Sequence, residues 1–110
     1  MESWTSPTGR VVVVRPEGDV DIANVVVLRR ELARAVDAAG VRLVVVDLVD
    51  TTFADLAALD VLVHAARRAG RRGAQVVVTH PRPVVARAIV VTGREHLLSV
   101  EERRELASAV

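Results

Sequence analysis

The chain has 110 residues, 51% of them apolar and 26% charged, with a formal net charge of +1. That length holds one domain, the apolar content excludes an intrinsically disordered chain, and the absence of cysteine excludes disulfides and thiol chemistry. All 15 basic residues are arginine and the only aromatics are Trp4 and Phe53, so the concentrated basic stripe and stacking rings of a nucleic-acid binder are both missing.

Along the chain, residues 1–9 read as a mobile tail, and residues 10–110 as one domain. The stretch MESWTSPTGR lacks the basic-then-apolar pattern of a signal peptide. No apolar run approaches the ~20 residues of a membrane helix. The expectation is a cytoplasmic protein without membrane insertion. Val11 to Val14 is a continuous apolar run closed by Arg15-Pro16, which suits a strand buried on both faces. Glu17-Gly18 signals a turn, and Asp19 to Ile22 reads as a short second strand.

Asn24 is a candidate N-cap. After it Val25, Leu28, Leu32, Val36 and Ala39 fall on one helical stripe, and Gly40 sits where a terminating glycine belongs, which predicts a helix over 24–39. Leu43 to Leu48 reads as a buried strand, and Asp50-Thr51-Thr52 as a polar loop. Leu56, Leu59, Leu62, Val63, Ala66 and Ala69 give the stripe of a helix over 56–71, with Asp60, His64, Arg67, Arg68 and Arg71 outward. Val76 to Val78 is another buried strand. Val84 to Thr92 is a short helix closed by Gly93, Leu97 to Val100 an edge strand, and Glu101 to Ala109 a terminal helix. The order β-β-α-β-α-β-α-β-α implies an α/β fold, with a mixed, largely parallel central sheet flanked by about four helices.

Several of these segments resemble one family. Gly18-Asp19-Val20-Asp21-Ile22-Ala23-Asn24, followed by Leu28 and Leu32, is similar to the "G-acidic-L-D" entry to the first helix of STAS domains. Val44-Val45-Val46-Asp47-Leu48, then Thr52-Phe53-Ala54-Asp55, resembles the family's "vvlDLs…tFiDSSG", and Val77 to His80, Pro83 to Ile89, Thr92-Gly93 and Leu97 to Val100 resemble its last third. The resemblance spans residues 10–100 in order and implies a regulatory protein of the anti-sigma-factor-antagonist kind. Its partner would be an anti-sigma factor or a serine-kinase-type regulator, released when a serine at the start of the second helix is phosphorylated. The alternative is a STAS-type accessory or scaffold subunit of a transporter or signalling assembly. Monomer and homodimer are both left open.

The family's D-S-S-G falls here on Asp55-Leu56-Ala57-Ala58. Ala57 occupies the acceptor position and has no hydroxyl, so the expectation is a partner-binding site that phosphorylation cannot switch. A phosphate there would have met the unpaired N–H groups and positive dipole end of a helix. The candidate partner-binding residues are Asp21, Asn24, Asp55, Leu56, Ala57, Ala58 and Leu59. Asp55 reads equally as an N-cap, and Asp21 as a turn acid. Asp47 reads as a structural loop acceptor, and Thr51 and Thr52 as turn residues bonded to local backbone rather than substitute phosphoacceptors.

His64, His80 and His96 lie on three different elements with no second ligand at close spacing, so no metal site is expected. The sequence holds no nucleophile elbow or phosphate loop. The expectation is a protein without cofactor or enzymatic activity. The Arg67, Arg68, Arg71, Arg72 cluster reads as a solvated helix face or a surface for an acidic partner.

Overall fold

A computed structural model describes residues 1–101. Strand β1 is Glu2–Thr5, β2 is Val11–Arg15 and β3 is Gly18–Val20. Helix α1 is Val25–Asp37, followed by β4 (Leu43–Asp47), β5 (Thr51–Ala54) and α2 (Leu56–Arg71). Then come β6 (Gln75–Thr79), α3 (Pro83–Val91), a 3-10 turn at Arg94–His96, and β7 (Ser99–Glu101). The main sheet runs β1-β2-β4-β6-β7, with β1 antiparallel to β2 and the remaining neighbours parallel. It is therefore the mixed α/β sheet expected. The expected helix over 101–109 falls almost wholly outside the described residues.

The valine blocks form strands because β-branched side chains keep a favourable χ1 on a pleated surface. Their alternation divides the valines between the two faces. Val12, Val14, Val44, Val46, Val76 and Val78 face the apolar stripes of α1 and α2, including Leu28, Leu32, Leu59 and Leu62, in one buried cluster. Val45 and Val77, on the opposite face, are also buried. At roughly 25 cal/mol per Å² of apolar area removed from water, this small-residue core compensates for the scarcity of aromatics by continuity.

Two expectations about the N-terminal part are corrected. Residues 1–9 do not all form a tail: Glu2–Thr5 is a strand in register with Arg15 to Val12. No apolar alternation marked it, because Trp4 is its one large apolar residue and all four residues are exposed at the sheet edge. The β2 strand is buried on one face only. Val12 and Val14 are buried, whereas Val11, Val13 and Arg15 are half-exposed, because β2 lies next to the edge strand rather than at the sheet centre.

Helix α2 has the expected bounds. It ends where Gly73 takes φ 72°, with the Ala74 N–H donating to the Ala69 carbonyl. Helix α1 stops two residues early, at Asp37, and α3 starts one residue early, at Pro83, whose missing N–H costs nothing at a first helical position. The polar segment after Asp50 is not all loop. From Thr51 it pairs in parallel with β3 as a separate two-stranded ribbon. That pairing spans distant residues and left no local signal.

Candidate functional site

The β3–β5 ribbon brings two loops to one end of the molecule. Its register sets Gly18 against Thr51, Asp19 against Phe53 and Val20 against Ala54. The chain then leaves β3 towards α1 and leaves β5 directly into α2. Between these exits lies Asp55. One of its carboxylate oxygens accepts from the Ala58 N–H at 3.0 Å, capping α2. The other accepts from the Ile22 N–H at 3.0 Å, tying in the loop before α1. The Asp55 N–H donates to the Val20 carbonyl at 3.2 Å. The N-cap reading of Asp55 is thus observed, together with a cross-loop bridge that spacing alone did not suggest.

The neighbouring polar residues hold the same loop. Asp21 accepts from the Ala23 N–H at 2.9 Å, as a turn acid does. Asn24 stands at the N-cap position but does not cap α1. It accepts from the Asp21 N–H at 3.0 Å and donates to the Asp19 carbonyl at 2.9 Å. This is a correction with a local cause: the Asp21 N–H and the Asp19 carbonyl, in the loop just before the helix, take the asparagine side chain. Thr51 is buried, its hydroxyl donating to the Pro16 carbonyl. Thr52 donates to an Asp19 carboxylate oxygen at 2.6 Å. Neither threonine hydroxyl bonds its local backbone as expected: Thr51 reaches back to Pro16 and Thr52 to an Asp19 side chain, because β3 lies beside β5, whereas the bonds of Asp21 and Asn24 run to their own loop.

Of the seven candidate residues, five reach the surface. Leu56 is 55% exposed, Asn24 is exposed, and Asp21, Asp55 and Ala57 are half-buried. Ala58 and Leu59 are buried at 1%, so their side chains belong to the core rather than to a contact surface. Once Asp55 starts the helix, the third and fourth residues after it rotate inward with the apolar stripe. Two contributors went unrecognised. Ile22, in the loop before α1, is 79% exposed and Phe53, in β5, 46%, on the two segments that Asp55 joins. An isoleucine and a phenylalanine inside otherwise polar stretches were the available signal.

A second polar group crosses the sheet behind this site. Asp47, buried at the end of β4, accepts from His80 Nδ1–H at 3.0 Å, from Arg15 Nε–H at 3.2 Å and from the Val49 N–H at 3.1 Å. Burial pushes its carboxyl up. The hydrogen bonds from His80, Val49 and Arg15, with the charge of His80, outweigh burial and hold it below the usual carboxylate value. The expected structural role for Asp47 is what the geometry gives. His80 itself takes φ 52°, the left-handed region that non-glycine residues avoid. His64 lies outward on α2 and His96 in the 3-10 turn beside Glu95. Among the described residues no three His, Cys, Asp or Glu side chains gather as metal ligands. No helix among them is long and apolar enough to cross a membrane.

The STAS domain family profile matches residues 5–107, nearly the whole chain. This chain belongs to the STAS domain family. Solved structures agree with the fold of the STAS domain. The anti-sigma factor antagonist SpoIIAA in its unphosphorylated form superposes with a TM-score of 0.80 at 16% identity, over 98% of this chain and 93% of that one. An anti-sigma factor antagonist from Mycobacterium paratuberculosis gives 0.81 at 21% identity, over 99% and 92%. The STAS domain of a SulP transporter from Vibrio cholerae gives 0.70 at 18% identity, over 96% and 83%. No curated protein matches the sequence of this STAS domain.

Proposed function

We propose that this STAS domain is a regulatory protein-binding module that engages an anti-sigma factor or a related serine-kinase-type regulator, and that its binding is not switched by phosphorylation at the start of α2. The observation that carries the reading is the Asp55 bridge. It fixes the β3–α1 loop against the α2 N-terminus and leaves Ile22, Phe53 and Leu56 exposed around a helix start that carries Ala57 instead of a hydroxyl residue. Preformed loops with exposed apolar residues bind without a large ordering cost. Thr51 offers no substitute acceptor, since it is 1% exposed and bonded to Pro16.

The module is proposed to act in the cytoplasm, without catalysis or cofactor; beside its carboxylates, amides and apolar side chains the site offers one hydroxyl, Thr52, held by Asp19. A second reading is an accessory domain of a transporter, supported by the likeness to the SulP transporter STAS domain. The two differ in the partner: a soluble anti-sigma factor or an integral membrane protein.

The test pairs the purified domain with candidate anti-sigma factors by calorimetry, and with the same kinases and ATP by intact mass. The expected result is saturable binding that Leu56→Asp weakens about tenfold or more, and no phosphate on residues 50–64. Leu56 is 55% exposed. Burying it at roughly 25 cal/mol per Å² is enough to account for such a loss. Phosphate on Thr52 accompanied by partner release would overturn the constitutive reading.

A further inference from the structure

Helices α1 and α2 lie side by side over the main sheet, and their outer surfaces enclose an open groove of about 360 Å³. It exists because both helices carry alanine where they face each other, Ala33 on α1 and Ala65 on α2. The floor is apolar, with Leu32 and Val61 buried beneath it. The rim carries Arg29 and His64, both exposed. The lining runs from Arg29 to Val36 and from Val61 to Arg68. Each stretch is two helical turns, roughly 10 Å at 1.5 Å per residue, the length over which one apolar ridge of a third helix would lie.

The charge around the groove is one-sided. The two helices carry six arginines and three carboxylates. All three carboxylates are already taken. Glu31 pairs with Arg34 and Asp37 with Arg68, while Asp60 pairs with Arg94 from outside the helices. Arg29, Arg30, Arg67 and Arg71 therefore have no helix carboxylate left to neutralise them. Strong coupling of Asp37 to Arg68 holds that carboxyl below its usual value, so it stays charged and unavailable.

We infer that the α1–α2 groove is a docking site for an acidic amphipathic helix of a partner protein, separate from the loops around Asp55. The apolar ridge of such a helix fills the hollow left by Ala33 and Ala65, and its flanking carboxylates meet Arg29 and the other arginines that no helix carboxylate neutralises. A lipid surface fits less well, because the apolar floor of the groove, Leu32 and Val61, is buried below a rim of Arg29 and His64. Nucleic acid fits less well, because a phosphate backbone gains nothing from an apolar floor and no Phe, Tyr or Trp lines the groove to stack bases.

The experiment uses the full chain, isotope-labelled, and two fluorescein-labelled peptides of about 18 residues, long enough to hold a helix. Both carry leucine at i, i+3, i+4 and i+7. One has glutamate at the remaining positions and the other lysine. The expected result is saturable anisotropy with the glutamate peptide and at least about tenfold weaker binding of the lysine peptide. Amide shifts should concentrate on residues 29–36 and 61–68. Arg29→Glu, at an exposed position that should not disturb folding, weakens the glutamate peptide severalfold, as does Ala33→Trp, which fills the hollow. Leu56→Asp leaves that binding unchanged. Equal affinity for the two peptides overturns the inference, and so do shifts confined to residues 18–24 and 51–58. Saturable binding only to phosphatidylserine vesicles or to DNA, with none to the glutamate peptide, overturns it as well.

Discussion

Asp55 does two jobs with one carboxylate, and the two can be separated by substitution. Its Oδ1 caps α2 through Ala58, and its Oδ2 holds the Ile22 amide on the other loop. Removing an N-cap carboxylate costs about 1 kcal/mol. Losing the tether adds little to global stability, because the Ile22 amide lies at the surface and water replaces the acceptor. Asp55→Ala should therefore lower the unfolding free energy by about 1 kcal/mol in urea melts, while the Ile22 amide exchanges much faster by NMR. Asp55→Asn should keep most of the cap, because its single carbonyl oxygen can still accept from Ala58, and should lose the tether. Equal exchange of Ile22 in the wild type and both variants would remove the bridge from the account of the site. The buried positions Ala58 and Leu59 teach the converse lesson. A residue next to a functional motif in sequence turns into the core as soon as the helix begins, because successive side chains rotate about 100° around the axis.

Strand β1 shows what an element contributes when its own side chains are exposed. It satisfies the edge of β2 through four residue pairs and lays a half-exposed Trp4 over Val13. Removing residues 1–5 should cost on the order of 2 kcal/mol, the value of roughly 100 Å² of tryptophan surface at about 25 cal/mol per Å². It would also bare the β2 edge, a continuous run of valines. The expected outcome is a truncated protein that keeps its circular dichroism spectrum but associates with rising concentration, read by light scattering. A monodisperse truncated protein of unchanged stability would show that β1 is dispensable. The Thr51–Ala54 strand behaves in a related way, since it exists only because Gly18–Val20 lies alongside it.

Across the whole molecule, Asp47 is where the two halves of the sheet's polar end meet. It joins Arg15 on β2, the Val49 amide in the following loop and His80 after β6, while the Leu48 N–H donates to the Thr79 carbonyl. These contacts position the β4–β5 connection, and with it the Asp55 loop. Because the folded Asp47 carboxyl is held below its unfolded value, the associated stability is fully present above the unfolded value and is lost as pH falls through the folded one. Thermal unfolding should therefore show an acid-side fall in stability that Asp47→Asn reduces. The same variant should be destabilised near neutrality by about 1 kcal/mol, the cost of leaving the partly buried donors of His80 and Arg15 without a charged acceptor. A wild type and Asp47→Asn pair with parallel pH profiles would assign the acid sensitivity to other carboxylates.

The sequence by itself determined the elements whose stability is local. Helix α2 was legible to the residue because its stripe, its capping aspartate and its terminal glycines are all short-range signals. The parallel sheet was legible because valine blocks alternate with helical stripes. The family resemblance and the alanine at position 57 were likewise written in consecutive residues. Only the tertiary structure decided what depends on partners far apart in the chain. Glu2–Thr5 is a strand because β2 offers an edge, and Thr51–Ala54 is one because β3 lies beside it. Asp55 reaches Ile22, 33 residues away. The α1–α2 groove exists because two alanines on separate helices come to face each other. Periodicity records which side of an element is buried, whereas pairing across the sheet and between helices is chosen by the closure of the whole core, which no single stretch of sequence contains.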